Sequence, residues 1–330
     1  MVYLFKAFLK LPFLKKFVFS TSSLNREEWD LFEHFIEKQN RIEELDLNVR
    51  KEFYSYFMQN DNLRSTLKRL KSHQSLTSLS LYFSYFSVEA LSQSLSCLKM
   101  MNQLHTLKFK VCDDIFNSQT KASDRVEGLC QFLKNHKRSL KVFHMTLKLA
   151  LEDILVTQIA EAVSHLSEVK DLYFECNWSS SKRLRYFRKT FQRDIDFELQ
   201  RKFVLPRIWN PNLAEYFQKL VNLEKFVFLS QMINTVDKDP VRWVIDLISI
   251  LPNLERLKNL KFYFDPVGDV SFRKARPMLI NAFLCIPRIK KIFVKFYDPY
   301  NEPLSKELDL KEICEIINQR QALKSDFMFD

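Results

Sequence analysis

Leu76-Thr77-Ser78-Leu79-Ser80-Leu81 is followed 28 residues later by Leu104-His105-Thr106-Leu107-Lys108-Phe109. Both stretches spell Leu-x-x-Leu-x-Leu, with Phe admitted as the last apolar residue. The second half of the phrase alternates apolar and polar residues, the period of a strand with one buried face. The phrase occurs nine times. The other copies start at Leu14, Ile42, Leu140, Val169, Leu223, Leu257 and Ile289. Starts are 28 to 36 residues apart, except for one gap of 54. Self-similarity at such a period points to a solenoid of stacked strand–helix units.

Two further observations support repetition. Ala7-Phe-Leu-Lys-Leu-Pro12-Phe-Leu-Lys-Lys16 is echoed by Ala282-Phe-Leu-Cys-Ile-Pro287-Arg-Ile-Lys-Lys291. Between phrases the apolar residues switch to helical spacing, as in Trp29, Phe32, Ile36; Leu63, Leu67, Leu70; Val88, Leu91, Leu95, Leu98; Val126, Leu129, Leu133; and Leu155, Ile159, Val163, Leu166. That is the pattern of core-facing amphipathic helices. Asp61, Ser87 and Ser123 stand where N-caps are expected. Strands are predicted over 15–20, 43–48, 77–82, 105–110, 141–146, 170–175, 224–229, 258–264 and 290–296. A ragged tenth phrase is read at Phe327-Met-Phe329. For the eighth strand an alternative frame, set by Pro252, lies three residues earlier.

The chain resembles the leucine-rich repeat family, in the long-repeat form of ribonuclease inhibitor and F-box proteins. The family's ninth position, Asn or Cys, is filled here only by Cys112 and Asn177. The resemblance implies an α/β leucine-rich-repeat solenoid of about nine to ten irregular repeats. Parallel strands would line the concave face and helices the convex face. Phe in place of Leu at many core positions widens the layers. Residues 1–330 are read as a single solenoid, with a basic insertion at 178–211.

Composition narrows the function. Only Gly128 and Gly268 are present, which excludes Gly-rich phosphate loops. The six cysteines are scattered without a Cys-x-x-Cys, so buried free thiols in a reducing compartment are expected. The histidines lack metal-type spacing, and no nucleophile is paired with a base; an enzyme, a metal site and a cofactor are not expected. No stretch has the apolar length of a membrane span. The start of the chain carries Lys6, Lys10, Lys15 and Lys16 with no acid before Glu27. Its echo at 282–291 marks it as half a repeat, while its charge leaves mitochondrial targeting open beside a cytoplasmic or nuclear site. The chain is read as opening partway through a repeat, its apolar end needing cover from upstream sequence or a partner.

Two candidate binding regions follow. From Lys182 to Arg207 nine basic residues face three acids, a local +6 out of the chain's +11, interleaved with aromatics. Arg183, Arg185, Arg188, Lys189 and Arg193 are the candidates there, for RNA, an acidic protein surface or anionic lipid. On the strands, the residues before, between and after the last two leucines should face outward. The N-terminal strands then offer Glu44, Asp46, Asn48, Ser78, Ser80 and Tyr82, and the C-terminal ones Lys225, Val227, Asn259, Lys261, Tyr263, Lys291, Phe293 and Lys295. Lys225, Lys261, Tyr263, Lys291, Phe293 and Lys295 are the candidate site, a mixture suited to anionic partners. The expected function is a protein-interaction adaptor or scaffold. Alternatives are an RNA- or ribonucleoprotein-associated subunit, and a ubiquitin-ligase substrate receptor whose F-box would lie upstream. No small-molecule substrate is expected.

Overall fold

The computed structural model describes residues 2–11, 13–21, 24–49, 64–83, 88–98, 101–111, 122–151, 153–178, 212–232, 242–265, 281–282, 285–286, 288–296 and 306–307. The protein is α/β. Its nine parallel strands stand side by side in chain order: β1 (Lys16–Thr21), β2 (Glu44–Val49), β3 (Ser78–Phe83), β4 (Thr106–Val111), β5 (Val142–Leu151), β6 (Asp171–Trp178), β7 (Lys225–Met232), β8 (Asn259–Asp265) and β9 (Lys291–Phe296). The Pro252 frame for the eighth strand is therefore not used.

Helix α1 (Val2–Phe8) precedes β1. Between strands lie α2 (Arg26–Lys38), α3 (residues 64–70), α4 (Val88–Leu95), α5 (Ala122–Asn135), α6 (Asp153–Ser164), α7 (Asn212–Phe217) and α8 (Arg242–Ser249). Each helix returns the chain to start the next parallel strand, as parallel pairing requires.

Phe327-Met-Phe329 lies outside the described residues. The tenth strand is β10 (Lys306–Glu307), a two-residue segment antiparallel to β9.

One backbone motif marks every junction between consecutive parallel strands. The carbonyl of the residue before a strand accepts the N–H of two residues at the start of the next. Lys15 C=O takes Glu43 and Glu44 N–H, Glu43 C=O takes Thr77 and Ser78 N–H, and the series continues unbroken to Lys258 C=O with Lys290 and Lys291 N–H. The 54-residue gap does not disturb it, since Lys170 C=O still takes Glu224 and Lys225 N–H.

Strand alternation sends one side of each strand into a single apolar core with the helices. Phe17, Phe19, Leu45, Leu47, Leu79, Leu81, Leu107, Phe109, Phe143, Met145, Leu172, Phe174, Phe226, Phe228, Leu260 and Phe262 are all buried there. The helical sets join them: Trp29, Phe32 and Ile36 of α2, and Val126, Leu129 and Leu133 of α5, are buried. The side facing the helices carries the buried apolar residues, and the opposite side carries the outward-facing ones.

Capping departs from expectation. Ser123 lies inside α5 rather than ahead of it, because that helix already begins at Ala122. Asp61 and Ser87 lie outside the described residues. The cap with complete geometry is at α2. Asn25 accepts the N–H of Glu28, and Glu28 accepts the N–H of Asn25, each at 2.9 Å. The pattern Asn-x-x-Glu was present in the sequence.

A buried column runs through the turns between helix and strand. Equivalent turns place Gln39, His73, Met101, His136, Leu166, Leu220 and Leu254 three or four residues before the first apolar residue of each phrase. Gln39 ties back to the preceding unit: its Oε1 accepts Leu14 N–H at 3.0 Å, and its Nε2 donates to Leu11 C=O. His136 places Nδ1 2.9 Å from Phe132 C=O and Nε2 3.1 Å from Met101 C=O. His73 is fully buried, and neither ring nitrogen has a partner with good geometry. Burial lowers its proton affinity. The unfolded chain therefore binds the extra proton first, and stability falls as pH drops below the ordinary imidazole value of about 6.5. Leu occupies the same position in three later turns. His73→Leu should raise the melting temperature, and raise it more at pH 5.5 than at pH 7.5. Equal gains at both pH values would refute this account of the imidazole.

Candidate interaction surface

The uncovered side of the sheet carries three rows of side chains, one residue per strand in each. The middle row reads Val18, Asp46, Ser80, Lys108, His144, Tyr173, Val227, Lys261, Phe293 by register. The first row runs Lys16, Glu44, Ser78, Thr106, Val142, Asp171, Lys225, Asn259, Lys291.

Short residues in these rows are less exposed than alternation alone implies. Val227 was expected to face solvent but is 5% exposed, between Tyr173 and Lys261 in the register. Ser80 is likewise buried, between Asp46 and Lys108. A short side chain flanked by two long ones meets little water. Burial pushes the Asp46 carboxyl up, opposed by the charges of Lys108 and Lys16.

A polar network joins the central strands β5, β6 and β7, and of its members only Lys225 is a sequence-predicted candidate. Lys225 Nζ on β7 donates to Asp171 Oδ2 on β6 at 2.9 Å. His144 Nε2 on β5 lies 3.0 Å from Asp171 Oδ1, but the pair lacks the angles of a good hydrogen bond. Burial pushes the Asp171 carboxyl up, yet His144 and Lys225 together outweigh it and hold the group below the usual carboxylate range. We attribute most of this to the well-aligned Lys225 bond. Glu175 accepts from Thr146 Oγ1 at 3.1 Å and from Tyr173 Oη at 2.8 Å. The His144 and Tyr173 rings lie 5.7 Å apart. His144 lies between the buried Phe143 and Met145 of its phrase and faces outward. Aligning the nine phrases in columns would have brought Asp171 beside Lys225 in one row and His144 beside Tyr173 in the next.

The predicted lysines do not form one free cluster. Lys225 is committed to Asp171, so its charge is not available in full to a partner. Lys261 and Lys291 are exposed on β8 and β9. Tyr263 pairs with Lys295, and Phe293 with Lys261, in the backbone register; the side chains of Tyr263, Phe293 and Lys295 lie outside the described residues. At the other end, Glu44 is paired with Lys16 at 2.7 Å. Arg183, Arg185, Arg188, Lys189 and Arg193 lie outside the described residues.

No protein-family model matches the sequence, and no curated protein matches it significantly. The architecture and the surface therefore carry the functional argument.

Other candidates are placed as follows. Cys97, Cys130 and Cys285 are free. They are free as expected but not fully buried, and the side chains of Cys112, Cys176 and Cys314 lie outside the described residues. Cys285 is exposed, because it is the neighbouring Ile286 that turns into the core, and the other two are half-buried. Burial pushes the Cys130 thiol up to about 11, far from thiolate chemistry at neutral pH. Among the described residues no helix is long and apolar enough to cross a membrane.

Proposed function

We propose that the chain is a leucine-rich-repeat solenoid acting as a non-enzymatic protein-interaction adaptor, and that it binds an acidic protein surface with the C-terminal part of its open sheet face. The observation that carries this reading is the nine-strand parallel sheet with one face left uncovered by the described helices. Such a face presents side chains at fixed spacings, about 4.8 Å across strands and about 6.6 Å along them. On β8 and β9 it offers Lys261 and Lys291, with Tyr263, Phe293 and Lys295 beside them in the register. The central network supports a binding role over a catalytic one. His144 points at Asp171, and the nearby Thr146 hydroxyl donates to Glu175 rather than to the imidazole. A nucleophile oriented by a base is not assembled there.

The test is affinity capture with a tagged full chain, comparing the parent with Lys261→Glu/Lys291→Glu and with the fivefold Gln variant of Arg183, Arg185, Arg188, Lys189 and Arg193. The expected result is a protein partner retained by the Gln variant and reduced about tenfold or more by the charge reversal, since like-charge contacts at an interface cost several kcal/mol. Capture of RNA would overturn this reading in favour of the insertion. It would show a log–log salt slope of about −0.7 per neutralised phosphate and be lost in the Gln variant.

A further inference from the structure

The terminal strand β1 has a second surface that the open face does not use. A strand residue points its N–H and C=O to the same side, and successive residues alternate. Lys15 C=O faces β2, where Glu43 and Glu44 donate to it. Phe17 and Phe19 therefore bond toward β2, and Lys16, Val18 and Ser20 direct their backbone groups away from the sheet. No described strand lies on that side of β1, whereas at the opposite edge β10 pairs with β9. Natural proteins blunt such edges, because an open edge is a template for another strand.

The same terminal unit is apolar to an unusual degree. Six large apolar side chains are exposed among the described residues, and five of them, Tyr3, Leu4, Leu11, Phe13 and Val18, belong to it. Tyr3 is 88% exposed, Val18 60% and Phe13 58%. Lys6, Lys10, Lys15 and Lys16 are exposed around them, and the sequence has no acid before Glu27. Lys15 and Lys16 find acids only on the next unit, Glu43 and Glu44.

We infer that the free edge of β1 takes an extended, acid-bearing segment of a partner protein as a further strand. The outward N–H and C=O groups of Lys16, Val18 and Ser20 pair with the partner's backbone, and its apolar side chains lie against the exposed terminal unit. Acidic residues of the partner beside the exposed Lys6 and Lys10 complete the charge match, since Lys15 and Lys16 already meet Glu43 and Glu44. Two copies of this chain meeting edge to edge would instead bring together two terminal units of the same basic sign. An anionic bilayer would use the lysines and apolar groups but leave the backbone edge unpaired. This inference is independent of the proposed role of the open face.

The experiment is a fluorescence-anisotropy titration of the full chain against a labelled ten-residue peptide of alternating valine and glutamate. Saturable binding is expected. Val18→Pro removes an outward N–H that β2 does not use, and Pro is tolerated on such an edge; it should weaken the peptide at least about tenfold. The same peptide N-methylated at alternate amides should weaken equally against the parent, which keeps the test valid should the variant misfold. Lys134→Glu, at an exposed position of α5, should leave the titration unchanged. Absence of binding, or equal binding by the proline variant and by the methylated peptide, overturns the inference. So does self-association of the chain abolished by Val18→Pro, or binding to phosphatidylserine vesicles that the peptide fails to compete.

Discussion

Leu79→Ala and Leu107→Ala should each lower the unfolding free energy by about 2–5 kcal/mol in a urea titration, while Ser78→Ala stays within roughly 0.5 kcal/mol. Leu79 and Leu107 are 0% exposed and face each other across β3 and β4 in the register. Each fills a layer bounded only by the adjacent repeats and the helices behind. The large cost has two parts, the lost transfer free energy and the cavity that close-packed neighbours fill only partly. Ser78 sits one residue away on the other side of the same strand and is half-exposed. Because the two leucines touch the same layer, the double variant should deviate from additivity. Equal effects at Leu79 and Ser78 would mean that the two faces of β3 have been exchanged.

The strands were legible because their signal is local and repeated. Every observed start lies one residue after the predicted one, for a physical reason. The residue before each strand, Lys15 or Glu43 for instance, contributes its carbonyl to the junction motif before the ladder begins. Strand ends were less legible: β5 runs on to Leu151, with a register shift against β6 after Leu147. Outward positions could be assigned from a single phrase, whereas their pairing emerges only when the phrases are set side by side. Asp171 and Lys225 are 54 residues apart in sequence and adjacent in the first row, and nothing local couples them. The buried column of Gln39, His73 and His136 was hidden for a similar reason. Polar residues at a helix end read as solvated until the stacking places the next turn over them.

Gly128→Ala should destabilise the protein by about 1–3 kcal/mol, against the helix-propensity trend. In an exposed helix interior the same change would stabilise by about 1 kcal/mol. Gly128 lies inside α5, where a Cβ would stand 2.3 Å from the Ser92 carbonyl oxygen and 2.8 Å from its carbonyl carbon. Those are backbone atoms of α4, so no rotamer change relieves the overlap. The helices must separate by some tenths of an ångström, and overpacking of that kind costs about 1–3 kcal/mol or more. Separation also stretches the bond from Leu129 N–H to Ser92 Oγ, now 3.0 Å and buried, which contributes about 1 kcal/mol. The steric and hydrogen-bond losses together exceed the propensity gain, which fixes the sign. Ser92→Ala isolates the hydrogen bond and should cost less than Gly128→Ala. The measurement is the melting temperature of both variants, and a Gly128→Ala protein that melts above the parent would show that α4 and α5 do not approach this closely.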